Sequence, residues 1–179
     1  MFKGIIFDLD QTLIDSSISL EYRGSKKNPR SDWKKVFSLI DEFKEFGNII
    51  KAVNRLKELG IKVSIVTSSP SGYCKKVLNH WNIHYDYIVA YHDVNNRKPH
   101  KEPSEKAINL MGLKPNEVIA VGDDYKDIQS YKDSGCLSIG AAWGIDKQGI
   151  ISLKEVNPDE IFYSVREFLN YLAKELKSK

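Results

Sequence analysis

The 179-residue chain predicts a doubly wound α/β fold: a parallel sheet, helices on both faces, and a small helical insertion after the first strand. Three observations carry that reading. Short apolar runs alternate with amphipathic stretches of helical period along most of the chain. The runs that end in "DLDQT", "VTSS" and "VGDD" finish in polar clusters, which a parallel sheet collects at the carboxyl edge where ligands bind. One segment, residues 15–47, breaks the alternation and holds no strand pattern.

The elements follow in order. "KGIIFD" is a short continuous apolar run, the pattern of a strand buried on both faces. The insertion opens with the polar "SSISLEYRGSKKNPRS". It continues in "DWKKVFSLIDEFKEF", predicted as one helix capped by Ser31, with Trp33, Val36, Phe37, Ile40 and Phe43 on its apolar face. In "IIKAVNRLKELG", Ile50, Val53, Leu56 and Leu59 form a stripe and Gly60 ends the helix. "IKVSIVTSS" is a strand, "SGYCKKVLNHW" a helix and "YDYIVAY" a strand. "EPSEKAINLMGLKP" is a helix with Pro103 near its first turn and Gly112 at its end. "EVIAVGDD" is a strand, "YKDIQSYKDSG" a helix and "CLSIGAA" a strand. Beyond "WGIDKQG" the pattern weakens, then "EIF" reads as a last short strand and "SVREFLNYLAKELKSK" as a closing amphipathic helix. The chain thus divides into a core, residues 1–14 and 48–179, and a cap, residues 15–47.

A content of 41% hydrophobic and 28% charged residues is that of a globular protein and excludes disordered and fibrous classes. The net charge of +3 is spread along the chain, which suits small anionic ligands and forms no basic stripe for nucleic acid. No run approaches the ~20 apolar residues of a membrane span. The N-terminal apolar run is too short for a signal peptide, so the cytoplasm is the expected compartment. Cys74 and Cys136 lack a CxxC spacing and read as reduced structural thiols.

The chemistry lies in the acids. Asp8, Asp10, Asp123 and Asp127 can all be brought to the predicted strand ends, Asp127 from the first turn of the helix that follows. Clustered carboxylates are costly without a cation, and hard oxygen donors suit Mg²⁺. Asp8 cannot be a helix cap, because no helix directly follows it; Asp124, in "GDDYKDI", reads equally as a ligand or as an N-cap. Lys98, in "NRKPHKEP", reads either as a solvated surface lysine or as a cation that reaches the same edge, balances the acids and holds a phosphoryl oxygen. Thr67 and Ser68 end a strand where hydroxyls and free amides suit a phosphate, and Thr12 is a further candidate for substrate binding. His80 and His84 are four apart, but the predicted helix ends between them, which argues against a zinc pair.

Taken in order, "IIFDLDQT", "VSIVT", "RKPHKEP" and "IAVGDDYKD" resemble the four motifs of the haloacid dehalogenase superfamily, of phosphatase type, from about Phe2 to Trp143. The resemblance implies a Rossmann-like core and a residue-by-residue division of labour. Asp8 would be the nucleophile that becomes an aspartyl-phosphate, and Asp10 the general acid and then base. Thr67 would bind the transferring phosphoryl group, and Lys98 would steady Asp8 and the phosphate. Asp123 would ligate Mg²⁺ beside Asp8 and Asp10, the latter through its carbonyl, and Asp127 would orient the metal site or Lys98. Gln11 stands where the family often has glycine, and the insertion is short for a cap, which leaves the pocket open.

The function so implied is a Mg²⁺-dependent phosphomonoester phosphatase acting on a small phosphorylated metabolite, with no nucleic-acid or membrane partner; monomer and homodimer stay open. A phosphomutase would use the same motifs under a fuller cap. A receiver-like phosphoacceptor or binding module without turnover would carry its acid pair before its acceptor, the reverse of the order here. A dehalogenase would need neither Asp10 nor Asp123. The insertion concentrates Arg23, Lys26, Lys27, Arg30, Lys34 and Lys35. It reads either as a solvated loop or as a site where Arg23 and Arg30 grip a distal anion of the substrate.

Overall fold

The structure, a computed structural model, describes residues 2–24 and 30–177. Its sheet has six parallel strands in the order β5-β4-β1-β6-β7-β8. These are β1 (Gly4–Phe7), β4 (Lys62–Val66), β5 (Tyr87–Val89), β6 (Val118–Gly122), β7 (Leu137–Ala141) and β8 (Glu160–Phe162). The period of two along each strand sorts side chains between two cores. Ile5 and Phe7 of β1, Val63 and Ile65 of β4, and Ile119 and Val121 of β6 enter one cluster; Ile6, Val66 and Ala120 enter the other. Both faces need cover, which is why the strands read as unbroken apolar runs.

The helices supply that cover. Val53 of α2 (Ile49–Glu58), Val77 of α3 (Ser71–His80) and Phe168 of α7 (Val165–Lys177) fill the first cluster. Ile108 of α4 (Glu102–Met111), Ile128 of α5 (Tyr125–Asp133) and Leu153 of α6 (Lys147–Glu155) fill the second. Each fully buried aliphatic side chain contributes roughly 1.5–3 kcal/mol. The order places β1 between β4 and β6. The chain winds outward from β1 first to one side and later to the other, so the crevice of the reversal opens at the end of β1, where Asp8 lies. Both cysteines are buried and free.

The insertion departs from its expected form. Ile14–Asp15 (β2) pairs antiparallel with Lys44–Glu45 (β3), so the segment does hold a strand. Two residues cannot show an alternation, and both β3 side chains are exposed. The predicted long helix is three pieces: α1 (Trp33–Ser38), a 3-10 turn over Ile40–Glu42, and extended backbone from Phe43. Asp32, not Ser31, caps α1 by accepting from the Lys35 amide at 3.0 Å; the Ser31 hydroxyl donates to the Arg23 carbonyl at 2.8 Å. The apolar face packs inward even though the long helix does not form. Val36, Ile40 and Phe43 are buried in the first cluster, and the rings of Trp33, Phe37 and Phe43 lie 5.5, 6.1 and 6.4 Å from that of Tyr73. The polar stretch before α1 contains a 3-10 turn, Ser17–Tyr22. Helix α6 was not expected. Leu153 is its one fully buried apolar residue, so it carries no stripe, and Asp146 starts it by accepting from the Gly149 amide at 2.8 Å.

Candidate active site

Lys98 is the hub. Its ammonium donates to Asp8 Oδ1 at 2.9 Å, to Asp127 Oδ1 at 2.5 Å and to the Val66 carbonyl at 2.7 Å. An ammonium has three donors, and all are used. Burial works against the charged lysine, but Asp127 and Asp8 outweigh it and hold its pKa well above the ordinary value. The connection over residues 90–101 delivers this side chain from beyond β5 to the end of β1.

Around it the carboxylates crowd. One oxygen from each of Asp8, Asp123 and Asp127 can be chosen so that all lie within 4.8 Å of one another. Burial pushes the Asp8 carboxyl up to about 8, Lys98 pulling against it while Asp127 and Asp10 add to the rise. Burial, then Asp8 and Asp127, push Asp123 well above its usual range as well. Lys98 alone therefore leaves the cluster short of positive charge. Three hard oxygen donors with that deficit fit a small divalent cation.

Local sequence explains how the acids reach this point. Asp124 caps α5 by accepting from the Lys126 amide at 2.9 Å, while Asp127 Oδ2 accepts from the Asp124 amide at 3.1 Å, closing a reciprocal box. Asp124 is thus a cap and not a member of the carboxylate cluster. Gly122 is required because a Cβ there would lie 2.5 Å from the Asp127 Cβ. Thr12, expected to bind substrate, is fully buried and donates to Asp123 Oδ1 at 2.9 Å, so it orients a carboxylate instead.

Asp10 is held apart from that cluster. Oδ1 accepts from the Ser16 hydroxyl at 2.7 Å and the Tyr73 hydroxyl at 2.7 Å. Oδ2 lies 2.9 Å from the Ser69 hydroxyl and 2.7 Å from Arg23 Nη1. Burial would raise this carboxyl, but the Arg23 charge and the hydrogen bonds from Arg23, Tyr73 and Ser16 hold it below the usual range. Arg23 Nη2 also reaches the Tyr73 hydroxyl, and Nε donates to Ser19 Oγ at 2.9 Å. Arg23 is therefore engaged at all three nitrogens and serves Asp10, and it also lines the cavity in which the expected grip on a distal substrate anion would act. Arg30 is exposed and lies outside the cavity lining; Lys26 and Lys27 fall outside the described residues.

Sequence reasoning missed Ser16, Ser69 and Tyr73. Ser69 had a signal, two residues past Thr67 in the same strand-end loop. Tyr73 had none, since an aromatic in a helix reads as core.

The loop after Asp10 is clamped from β7's side. Gln11 adopts φ +61°, a region that favours glycine and costs other residues about 1 kcal/mol or more. Trp143 Nε1 donates to the Thr12 carbonyl at 3.0 Å, and a Cβ on Gly144 would meet the Gln11 carbonyl oxygen at 2.1 Å. Gly144→Ala must push this loop, and overpacking of that kind costs about 1–3 kcal/mol, or roughly 2–12 °C in Tm for a chain of this size. Thermal unfolding checks it; an unchanged Tm would show that the loop is free to move.

A cavity of about 310 Å³ lies over these groups. Asp8, Asp10, Thr67, Ser68, Lys98 and Asp123 all line it, and Leu20 and Trp33 of the insertion form part of its wall. Thr67 is buried, its hydroxyl oxygen accepting from the Ser69 amide at 3.1 Å, whereas Ser68 is exposed.

A family model described as haloacid dehalogenase-like hydrolase matches residues 18–141. That span begins after Asp10, so the match does not rest on the "DLD" stretch. A phosphoglycolate phosphatase from Salmonella typhi is 30% identical over 130 residues, covering 72% of this chain and 51% of that protein. The chain spans about half the length of the curated relatives it matches. The crystal structure of a predicted phosphoglycolate phosphatase from Haemophilus somnus 129pt superposes with a TM-score of 0.78 at 20% identity, covering 96% of this chain and 98% of that one. A candidate beta-phosphoglucomutase from Thermotoga maritima gives a TM-score of 0.76 at 18% identity, covering 97% and 99%.

Proposed function

The chain belongs to the haloacid dehalogenase-like hydrolase family, and on that premise we propose that it is a Mg²⁺-dependent phosphomonoester phosphatase working through an aspartyl-phosphate on Asp8. One observation carries the reading: two carboxylates two residues apart sit in opposite environments. Asp8 is held at Oδ1 by Lys98 beside Asp123 and Asp127, and Asp10 is held by hydroxyls and Arg23. A divalent cation among Asp8, Asp123 and Asp127 would ionise Asp8 as the nucleophile, whereas Asp10 stands outside that cluster in the cavity wall, where it can meet the leaving oxygen. The phosphoglycolate phosphatase relatives support the same reaction class.

In this mechanism the free oxygen of Asp8 attacks phosphorus and the ester P–O bond breaks; Asp10, which Arg23 holds ionised in the resting site, takes up a proton from solvent as the substrate displaces one of its donors and passes that proton to the leaving oxygen. Asp10 then takes a proton from water, which attacks the acyl phosphate; phosphate leaves and Asp8 is regenerated. Lys98 holds Asp8 and brings its positive charge to the cavity that Thr67 and Ser68 line, where the phosphoryl oxygens would lie. Asp8, Asp123 and Asp127 would hold Mg²⁺, which supplies positive charge to the phosphoryl oxygens as the transition state forms. Thr12 keeps Asp123 aimed, and Asp127 keeps Lys98 aimed. Residues 15–47 act as a reduced cap, with Leu20 and Trp33 facing the substrate. The small cavity suits a small phosphorylated metabolite.

The test is release of inorganic phosphate from p-nitrophenyl phosphate. Turnover is expected with Mg²⁺, to stop in EDTA, and to return when Mg²⁺ is restored; Asp123→Ala should lose at least about 10²-fold. Full activity in chelator would remove the reading. Phosphate moved to a second hydroxyl instead of water would favour a phosphomutase, and a stable phosphoprotein without turnover a receiver-like module.

A further inference from the structure

Resting on the phosphatase reading, we propose that Tyr73, together with Arg23, is a positioning residue for the acid–base group Asp10. A carboxylate offers about four acceptor directions. Here all four are filled, by the Ser16, Ser69 and Tyr73 hydroxyls and by Arg23. Asp10 must free one of them to meet a leaving oxygen. The four partners differ in how they can let go.

The serines are rotors. Ser16 and Ser69 each release Asp10 by turning one χ1 bond, and Ser69 lines the cavity where a leaving group would arrive. Tyr73 and Arg23 cannot do this. The Tyr73 ring is fully buried among Trp33, Phe37 and Phe43, with the Arg23 guanidinium 4.7 Å above its centre. Arg23 is pinned in turn by Tyr73 and Ser19. Moving either one means displacing packed rings. The Tyr73–Arg23 pair therefore fixes the carboxylate, Tyr73 from the packed interior and Arg23 from the cavity wall, and Ser69 yields its place to the substrate. Tyr73 comes from α3 and Arg23 from the insertion, so the insertion reaches Asp10 through a side chain as well as walling the cavity.

This role predicts a signature that packing alone would not produce. A misplaced acid costs most where the leaving group needs its proton. Wild type, Tyr73→Phe and Arg23→Lys should be compared on an alkyl ester, β-glycerol phosphate, and an aryl ester with a stable anion, p-nitrophenyl phosphate, both with Mg²⁺. Tyr73→Phe should lose roughly 10-fold or more in kcat on the alkyl ester, with a loss about fivefold smaller on the aryl ester and little change in either KM. Arg23→Lys keeps the charge without the fork and should show the same split, less deeply. Equal losses on both esters, or none, in variants with wild-type melting curves would overturn the positioning role and leave the phosphatase reading standing. If wild type turned over neither ester, both would fall together.

Discussion

Replacing Asp8 by asparagine is expected to abolish turnover, by at least about 10⁴-fold, while making the metal-free protein more stable. The two effects have one cause. Asp8 is 8% exposed and shares its site with Asp123 and Asp127, against a single ammonium. Burial pushes its carboxyl up to about 8, with Asp127 and Asp10 adding to the rise against the pull of Lys98. Without metal a carboxyl so raised is mostly protonated at neutral pH, and its ionisation there comes at a cost to folding. An asparagine fills the same space, still accepts from Lys98, and donates an amide to the neighbouring acids. The charge repulsion goes, and so does the nucleophile. Sites kept for chemistry at the expense of stability behave this way. We expect a rise in Tm of roughly 3–8 °C without metal, narrowing when Mg²⁺ is added. Thermal scans with and without Mg²⁺, beside phosphate-release assays, check both halves. A fall in Tm would mean that Asp8 supports the fold, and retained turnover would sink the covalent mechanism.

Lys98→Met should act in the opposite direction on stability. The ammonium is the common partner of Asp8, Asp127 and the Val66 carbonyl. Methionine fits the volume but leaves two buried carboxylates facing each other. Removing one partner of a buried ion pair costs about 3–5 kcal/mol, here roughly 6–20 °C in Tm. Turnover should fall by roughly 10²–10³-fold, as when an electrostatic partner of the transition state is lost. Mg²⁺ should return part of the stability, since it binds the same acids. Lys101, whose pair with Glu105 is also 2.9 Å long but exposed, provides the comparison: Lys101→Met should leave Tm essentially in place. A Lys98→Met protein as stable as wild type would show that the cluster has no need of its cation.

Much of this was legible in the residues. The alternation of apolar runs and amphipathic stretches led to the doubly wound sheet, because strands buried on both faces and helices with one apolar stripe leave different periods. The junctions of "IIFDLD", "SIVTSS" and "IAVGDD" pointed to the functional edge, because only strand ends bring polar groups to a shared rim. The elements lost were those whose burial leaves no periodic trace. Helix α6 buries Leu153 alone among its apolar residues, and the β2–β3 ribbon is two residues long with β3 exposed.

The sequence by itself determined the strand ends, the acids on them and the lysine that could balance them, since local period and side-chain chemistry are written in neighbouring residues. Only the tertiary structure decided what each polar side chain touches. It sent Thr12 to Asp123 and gave Asp124 to a helix end. It turned Arg23 inward to Asp10 and joined it there with Tyr73, which lies 63 residues away from Asp10 in the chain. Contacts at such separations depend on the packing of whole elements. A buried carboxylate takes its partners from whatever donors the folded chain brings within about 3 Å, and sequence spacing does not encode that distance.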